Sequence, residues 1–168
     1  RRVACSNHLK QLGLAMMNFY DATGHFPSAG WGYTWAPHPD RGVGKEQPGA
    51  WTYSLLPHLE ETGLYSLGAG VGATNETNLQ LLQANKIRLE TPLSILHCPS
   101  RRSPKAYPVV NPIAWFVSQP RLCGMLTTSA RTDYAINGGE HYRTIHRGPN
   151  SISDGETGAS LFPSTNTS

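Results

Sequence analysis

The chain has 168 residues, 38% of them hydrophobic, which is enough for one domain with a real core but leaves much of the chain to loop and surface. A formal net charge of +3 at pH 7 is mild, and its carriers Arg1, Arg2, Arg101, Arg102, Lys105, Arg121 and Arg131 are scattered over several segments. No dense basic stripe with interleaved aromatics exists to track a phosphate backbone, so nucleic acid is not expected as a partner.

Cys5, Leu9, Leu12, Met16 and Phe19 recur at alternating steps of four and three, which predicts one apolar face on a helix running to about Asp21. Gly24 stands where the chain must leave that helix, and Pro27 keeps it from resuming. The chain opens on Arg1-Arg2, without Met and already inside the helical pattern, so a longer precursor whose helix continues upstream is expected. No stretch within it approaches the ~20 apolar residues of a membrane span.

Residues 27 to 50 are rich in Gly, Pro and Trp and read as a long ordered loop, with a short strand around Tyr33–Trp35. Trp31, Tyr33, Trp35 and Trp51 have two readings. They cap the core where the loop folds back, or they form an exposed aromatic platform for a sugar or a partner protein. The sequence does not choose.

Trp51, Leu55 and Leu59 share a helical face, Pro57 suits a first helical turn, and Glu60-Glu61 behind it would favour the helix dipole. Gly68-Ala-Gly70-Val-Gly72 lacks the preceding strand and the lysine of a phosphate loop, so it reads as plain loop. A further helix is expected over Glu76 to Leu89, with Leu79, Leu82, Lys86 and Leu89 down one side and Thr91-Pro92 stopping it. Leu93 to Cys98 then reads as a strand closed by Pro99. Further β-formers gather at Tyr107-Pro-Val-Val, Ile113 to Val117 and Thr132 to Ile136, the last leading into the turn signal Asn137-Gly138-Gly139. Ser151 to Gly155 reads as a turn, and Leu161 to Ser168 carries no pattern.

No convergent catalytic set, cofactor loop or metal cluster emerges, so neither an enzyme nor a cofactor is expected. His141 and His146 lie near Asp133, Glu140 and Asp154 in the sequence, but on a looping segment they have no fixed ligand face and read as surface histidines. His97 and Cys98 are adjacent, and on a strand they would point to opposite faces, which excludes a direct thiol–base pair. The three cysteines, Cys5, Cys98 and Cys123, allow one disulfide with a thiol left over. A bridge and separately buried thiols both remain open.

The order Cys5-x-Asn7-x-Leu9-Lys10-Gln11-x-Gly13-Leu14-Ala15, then Asn18-x-Tyr20-Asp21 and Gly24-x-Phe26-Pro27, closely resembles the start of a large planctomycete family of paralogues. That family is catalogued as a domain of unknown function and begins with a type IV prepilin-like signal. The likeness continues in Trp51-x-x-x-Leu55-Leu56-Pro57-x-Leu59-Glu60, in Leu96-x-Cys98-Pro99-Ser100, in Tyr134-x-x-Asn137-x-Gly139 and in Ile152-Ser153-Asp154-Gly155. His58 stands for the family's usual Tyr, Glu61 for Gln, Arg101-Arg102 for Asp-Pro, and Glu156-Thr157-Gly158 for Thr-Ser-Asn. The family's closing His-x9-Asp-Gly is missing, because only seven residues separate His146 from Asp154.

The resemblance implies an α+β, pilin-like fold over 1–168 as a single domain. Its N-terminal amphipathic helix would pack through Cys5, Leu9, Leu12, Met16 and Phe19 on an antiparallel sheet, beside additional short helices and long loops. Each large side chain buried there would contribute ~1.5–3 kcal/mol. The implied role is a non-enzymatic structural or assembly protein of the cell envelope, of the type IV pilin or type II secretion pseudopilin kind. Its partners would be other pilin-like subunits or secretion components, with the membrane reached only through an upstream helix. Because Cys5 and Cys98 both lie in family-like motifs, the resemblance points to them as the pair if one forms. The alternative is an extracytoplasmic carbohydrate- or protein-binding module using the loop 31–51.

Overall fold

The structure, a computed structural model, describes residues 2–109, 120–136 and 147–157. It is α+β, with helix dominant and a small antiparallel sheet. Helix α1 spans Arg2–Thr23. Thr23 Oγ1 donates to the Phe19 carbonyl at 2.7 Å, and the Gly24 amide closes on Tyr20 O at 2.8 Å with φ of 77°, a left-handed exit that glycine adopts without strain.

After the loop, short helical pieces follow in succession. They are a 3-10 turn at Pro39–Arg41, α2 at Trp51–Ser54, a 3-10 turn at Leu56–Leu59 and α3 at Thr62–Ser66. Pro57 occupies the first turn of its element, as expected, but Glu60 takes a left-handed φ of 64° that ends it instead of seeding a helix. Helix α4 covers Leu79–Glu90 and is capped by Asn78, whose side chain accepts from the Gln80 and Leu81 amides.

The expected face of α4 is rotated. Leu79 is 77% exposed, and the buried line is Leu81, Ala84, Asn85 and Arg88. A hydrophobicity pattern discounts Asn85 and Arg88, yet both find acceptors inside the molecule, and that decides which side turns inward.

The strand expected at Leu93–Cys98 is a 3-10 turn at Ser94–Leu96, closed by Leu96 N to Leu93 O and His97 N to Ser94 O, both at 3.1 Å. Those local bonds use the carbonyls of Leu93 and Ser94 within the segment, and Pro92 and Pro99 bracket it with residues that lack a backbone N–H. Strands β1, Tyr107–Pro108, and β2, Thr128–Ser129, pair antiparallel, with Tyr107 opposite Ser129. The strand expected near Tyr33–Trp35 is reduced to one parallel bridge, Trp35 with Arg121. Among the described residues Thr132–Ile136 pairs with no strand: the Thr132 hydroxyl donates to Tyr134 O and accepts from Tyr134 N, a local bond that competes with a ladder. Ser151–Gly155 falls largely in a helix, α5, Ile152–Thr157. Gly155 lies so close to Trp31 that a Cβ there would come within 2.4 Å of the indole. The segments Ile113–Val117 and Asn137–Gly139 and the tail from Leu161 lie outside the described residues.

Among the described residues two apolar clusters form the core. One gathers Leu12, Ala15, Phe19, Trp51 and Leu55 beneath α1, with Ile95, Leu96, Tyr134 and Ile136 packed against it. The other gathers Trp31, Trp35, Leu81, Leu122 and Ile152 with their neighbours. Among the described residues α1 therefore rests on the helical turns at 56–59 and 94–96, and the two-residue strands lie elsewhere. The expected seating of α1 on a sheet is replaced there by seating on turns.

Candidate functional site

Helix α1 has two faces of different character. Inward, Leu12 is 6% exposed and Ala15 and Phe19 1% each, while Met16 packs partly against the same cluster. Leu9, expected on this face, is 55% exposed. The inward line instead runs Cys5, His8, Leu12, Ala15 and Phe19. The His8 ring bonds the His97 carbonyl at 3.0 Å, and small Ala15 lets the helix approach the turns beneath it. A count of large apolar residues passes over both positions.

Cys5 forms a disulfide with Cys98, their Cα atoms 5.3 Å apart. The bridge pins the first turns of α1 to the segment after the 3-10 turn at Ser94–Leu96. Cys98 is therefore no thiol nucleophile. The remaining described thiol, Cys123, is buried, and burial pushes its pKa up to about 12, so it is protonated and unreactive at neutral pH.

Outward, Val3, Leu9, Leu14, Met17 and Tyr20 are between 41% and 73% exposed on the same helix, and exposed Phe26 packs on the Tyr20 ring at 4.9 Å. Val3, Leu14 and Met17 project roughly opposite Leu12 and Phe19 on a helix of ~3.6 residues per turn. Exposed Ser6, Asn7, Lys10 and Asp21 interrupt them on the same side. Exposed large apolar side chains thus recur along the side of α1 turned away from the core.

The three described tryptophans lie in the interior. Trp31 is 4%, Trp35 6% and Trp51 9% exposed. Trp31 and Trp35 meet edge to face at 5.0 Å, and their indole N–H groups donate to Lys45 O and Pro149 O. Tyr33 is half-buried, its hydroxyl accepting from Arg147 Nε at 3.1 Å. The rings close the core where the loop folds back, which is the first of the two readings, and the indoles offer no exposed platform for a sugar to stack on.

The Gly68–Gly72 segment is indeed loop, and the anion it cradles belongs to the chain itself. The amides of Gly70, Val71 and Gly72 donate to the Asp40 carboxylate at 2.8–2.9 Å. These bonds, led by that of Gly70, hold its carboxyl below the ordinary value. Asp133 is similarly engaged. It accepts from the Cys98 amide at 3.0 Å and pairs with Arg102 and, at 3.4 Å, Arg101. Desolvation pushes its pKa upward, but the amide and the two guanidinium groups together outweigh that and leave it lowered. Arg102, Lys105 and Arg131 surround the Tyr107 ring at 5.2–5.6 Å.

His141, His146 and Glu140 lie outside the described residues. Among those described, no group of His, Cys, Asp and Glu is placed to hold a metal ion, and no helix is long and apolar enough to cross a membrane.

A family model described as a protein of unknown function (DUF1559) matches residues 1–159. The chain belongs to that family. Neither the curated proteins nor the solved structures yield a match. The matched span of this DUF1559 chain takes in both faces of α1, both bridged cysteines and α5.

Proposed function

We propose that this DUF1559 protein is a non-enzymatic assembly protein of the cell envelope, of the pilin or pseudopilin kind. The observation that carries the reading is the outward ridge of α1, Val3, Leu14, Met17 and Tyr20, which stays exposed although the opposite face already fills the core. In a pilin-like assembly such a ridge packs against helices of neighbouring subunits, and the buried face holds the globular part to the helix. The Cys5–Cys98 bridge supports an oxidising, extracytoplasmic location. The sequence resemblance to a planctomycete family with a prepilin-like signal supports a membrane-anchored precursor. The alternative, a binding module on the 31–51 loop, loses its support with the indoles buried.

The test uses the full chain in its own membrane. The double substitution Leu14→Asp, Met17→Asp is expected to leave the melting temperature of the domain unchanged and to abolish co-purification with like subunits. Undiminished association would overturn the reading. The coding sequence upstream of Arg1 gives a second check: a Gly-Phe-Thr-Leu-x-Glu motif and ~20 apolar residues are expected there.

A further inference from the structure

Two arginines are buried among the described residues, and they are treated differently. Arg41, 8% exposed, is neutralised by Glu46 at 3.1 Å and Glu156 at 2.9 Å. Arg88, 7% exposed, has no carboxylate within ion-pair distance among the described residues. Its Nε donates to Leu64 O at 2.7 Å, Nη2 to Leu67 O at 2.5 Å and more weakly to Tyr65 O at 3.5 Å, and Nη1 to Asn85 Oδ1. One Nη1 hydrogen is left without an acceptor among the described residues. All these acceptors are neutral, so among the described residues a full positive charge is held out of water with no counter-charge at ion-pair distance. Burial lowers its pKa accordingly, against a smaller opposing pull from Tyr53, whose ring lies 5.2 Å from the guanidinium carbon.

Arg88 is among the residues lining a pocket of about 210 Å³. Trp35, Tyr53, Leu56, Leu64, Leu89 and Leu96 give it apolar and aromatic walls. Arg131 also contributes to the lining, with its guanidinium turned over the Tyr107 ring at 5.3 Å, and none of the described lining residues is acidic. A dry cavity of ~150 Å³ accepts benzene. This one has room for a single ring with a short charged substituent. Apolar walls with a few convergent polar groups are the usual make-up of a small-molecule site.

We propose that this pocket binds a small organic anion, a carboxylate on a ring-sized apolar body. The carboxylate pairs with Arg88 and the body lies against Trp35, Tyr53 and the leucines. The anion supplies the counter-charge that Arg88 lacks and Arg41 has, through charge-assisted hydrogen bonds stronger than those to neutral carbonyls. The proposal does not depend on the assembly role, because α1 contributes nothing to the pocket lining.

Phenylacetate is the probe, with phenylacetamide as its neutral isostere, each titrated into the oxidised protein and followed by amide NMR shifts and calorimetry. Phenylacetate is expected to shift the amides of Leu89, Ala130 and Thr132 and to bind at least about tenfold more tightly than the amide. Ala130→Phe, which fills the pocket from a position outside the Arg88 network, is expected to abolish those shifts while keeping the native spectrum elsewhere. Arg88→Lys, which keeps the charge, is expected to retain weaker binding. Equal affinity for acid and amide, an absence of shifts, or shifts confined to the Arg102–Tyr107 surface would each overturn the proposal. So would undiminished binding by a folded Ala130→Phe protein.

Discussion

The two halves of the core solve the same problem by different means. Beneath α1 the chain packs large apolar side chains, Leu12, Phe19, Trp51 and Leu55, and adds a covalent bridge at Cys5–Cys98. Around Trp31 and Trp35 the chain is loop, and loops leave backbone amides and carbonyls that no ladder pairs. Polar side chains take that duty. Asn85 donates to Pro37 O and Leu122 O at 2.8 and 2.6 Å, and Gln47 donates to His38 O and Gly42 O while accepting from the His38 and Gly49 amides. Arg41 reaches Glu46 O and Ala73 O, and Asp40 gathers the amides of Gly70 to Gly72. A domain with much loop is thus held by side-chain-to-backbone bonds at polar residues, some closing a loop on itself, as Gln47 does, and others tying segments far apart in sequence, as Asn85 does.

That comparison can be broken most forcefully at Leu12. Leu12→Asp places an unpaired carboxylate at a site 6% exposed, and a loss of more than about 4 kcal/mol is expected, seen as a collapse of the melting transition. A native melting temperature would show that the inward face of α1 is not core. Next in size is the bridge. Because it closes a separation of 93 residues, reduction or paired Cys5→Ala, Cys98→Ala is expected to cost about 2–5 kcal/mol in chemical denaturation. Hydrogen exchange should then quicken first in the N-terminal turns of α1.

In the other half, Asn85→Ala strands two buried carbonyls and removes an acceptor from Arg88. A loss of about 2–4 kcal/mol is expected for one polar side chain that is fully buried. A loss no larger than that of an exposed substitution such as Gln83→Ala would show that the loops do not rely on it. The smallest effect expected is electrostatic. The pKa of Asp133 is depressed in the fold, so its contribution is present above about pH 3.8 and is lost as pH falls through the lowered value. Asp133→Asn is expected to flatten the acid limb of the stability curve in that window. An acid limb identical to that of the parent protein would place the acid-sensitive group elsewhere.

The sequence by itself determined the length and exit of α1, its inward Leu12 and Phe19, the loop character of 27–50 and of Gly68–Gly72, and the family. These follow from local rules: helical periodicity, glycine and proline punctuation, and strings of residues at fixed spacing. The resemblance also pointed to the Cys5–Cys98 pair, which residue spacing alone left open. What the tertiary structure decided is which polar residues go inside. His8 displaces Leu9 from the inward line, and Asn85 and Arg88 displace Leu79 and Leu82 from the face expected for α4. It also decided that the indoles of Trp31, Trp35 and Trp51 are interior. No local rule reaches these outcomes, because whether a polar side chain can be buried depends on acceptors supplied by distant segments. For Asn85 they are Pro37 and Leu122, and for Arg88 they are the carbonyls of Leu64 and Leu67.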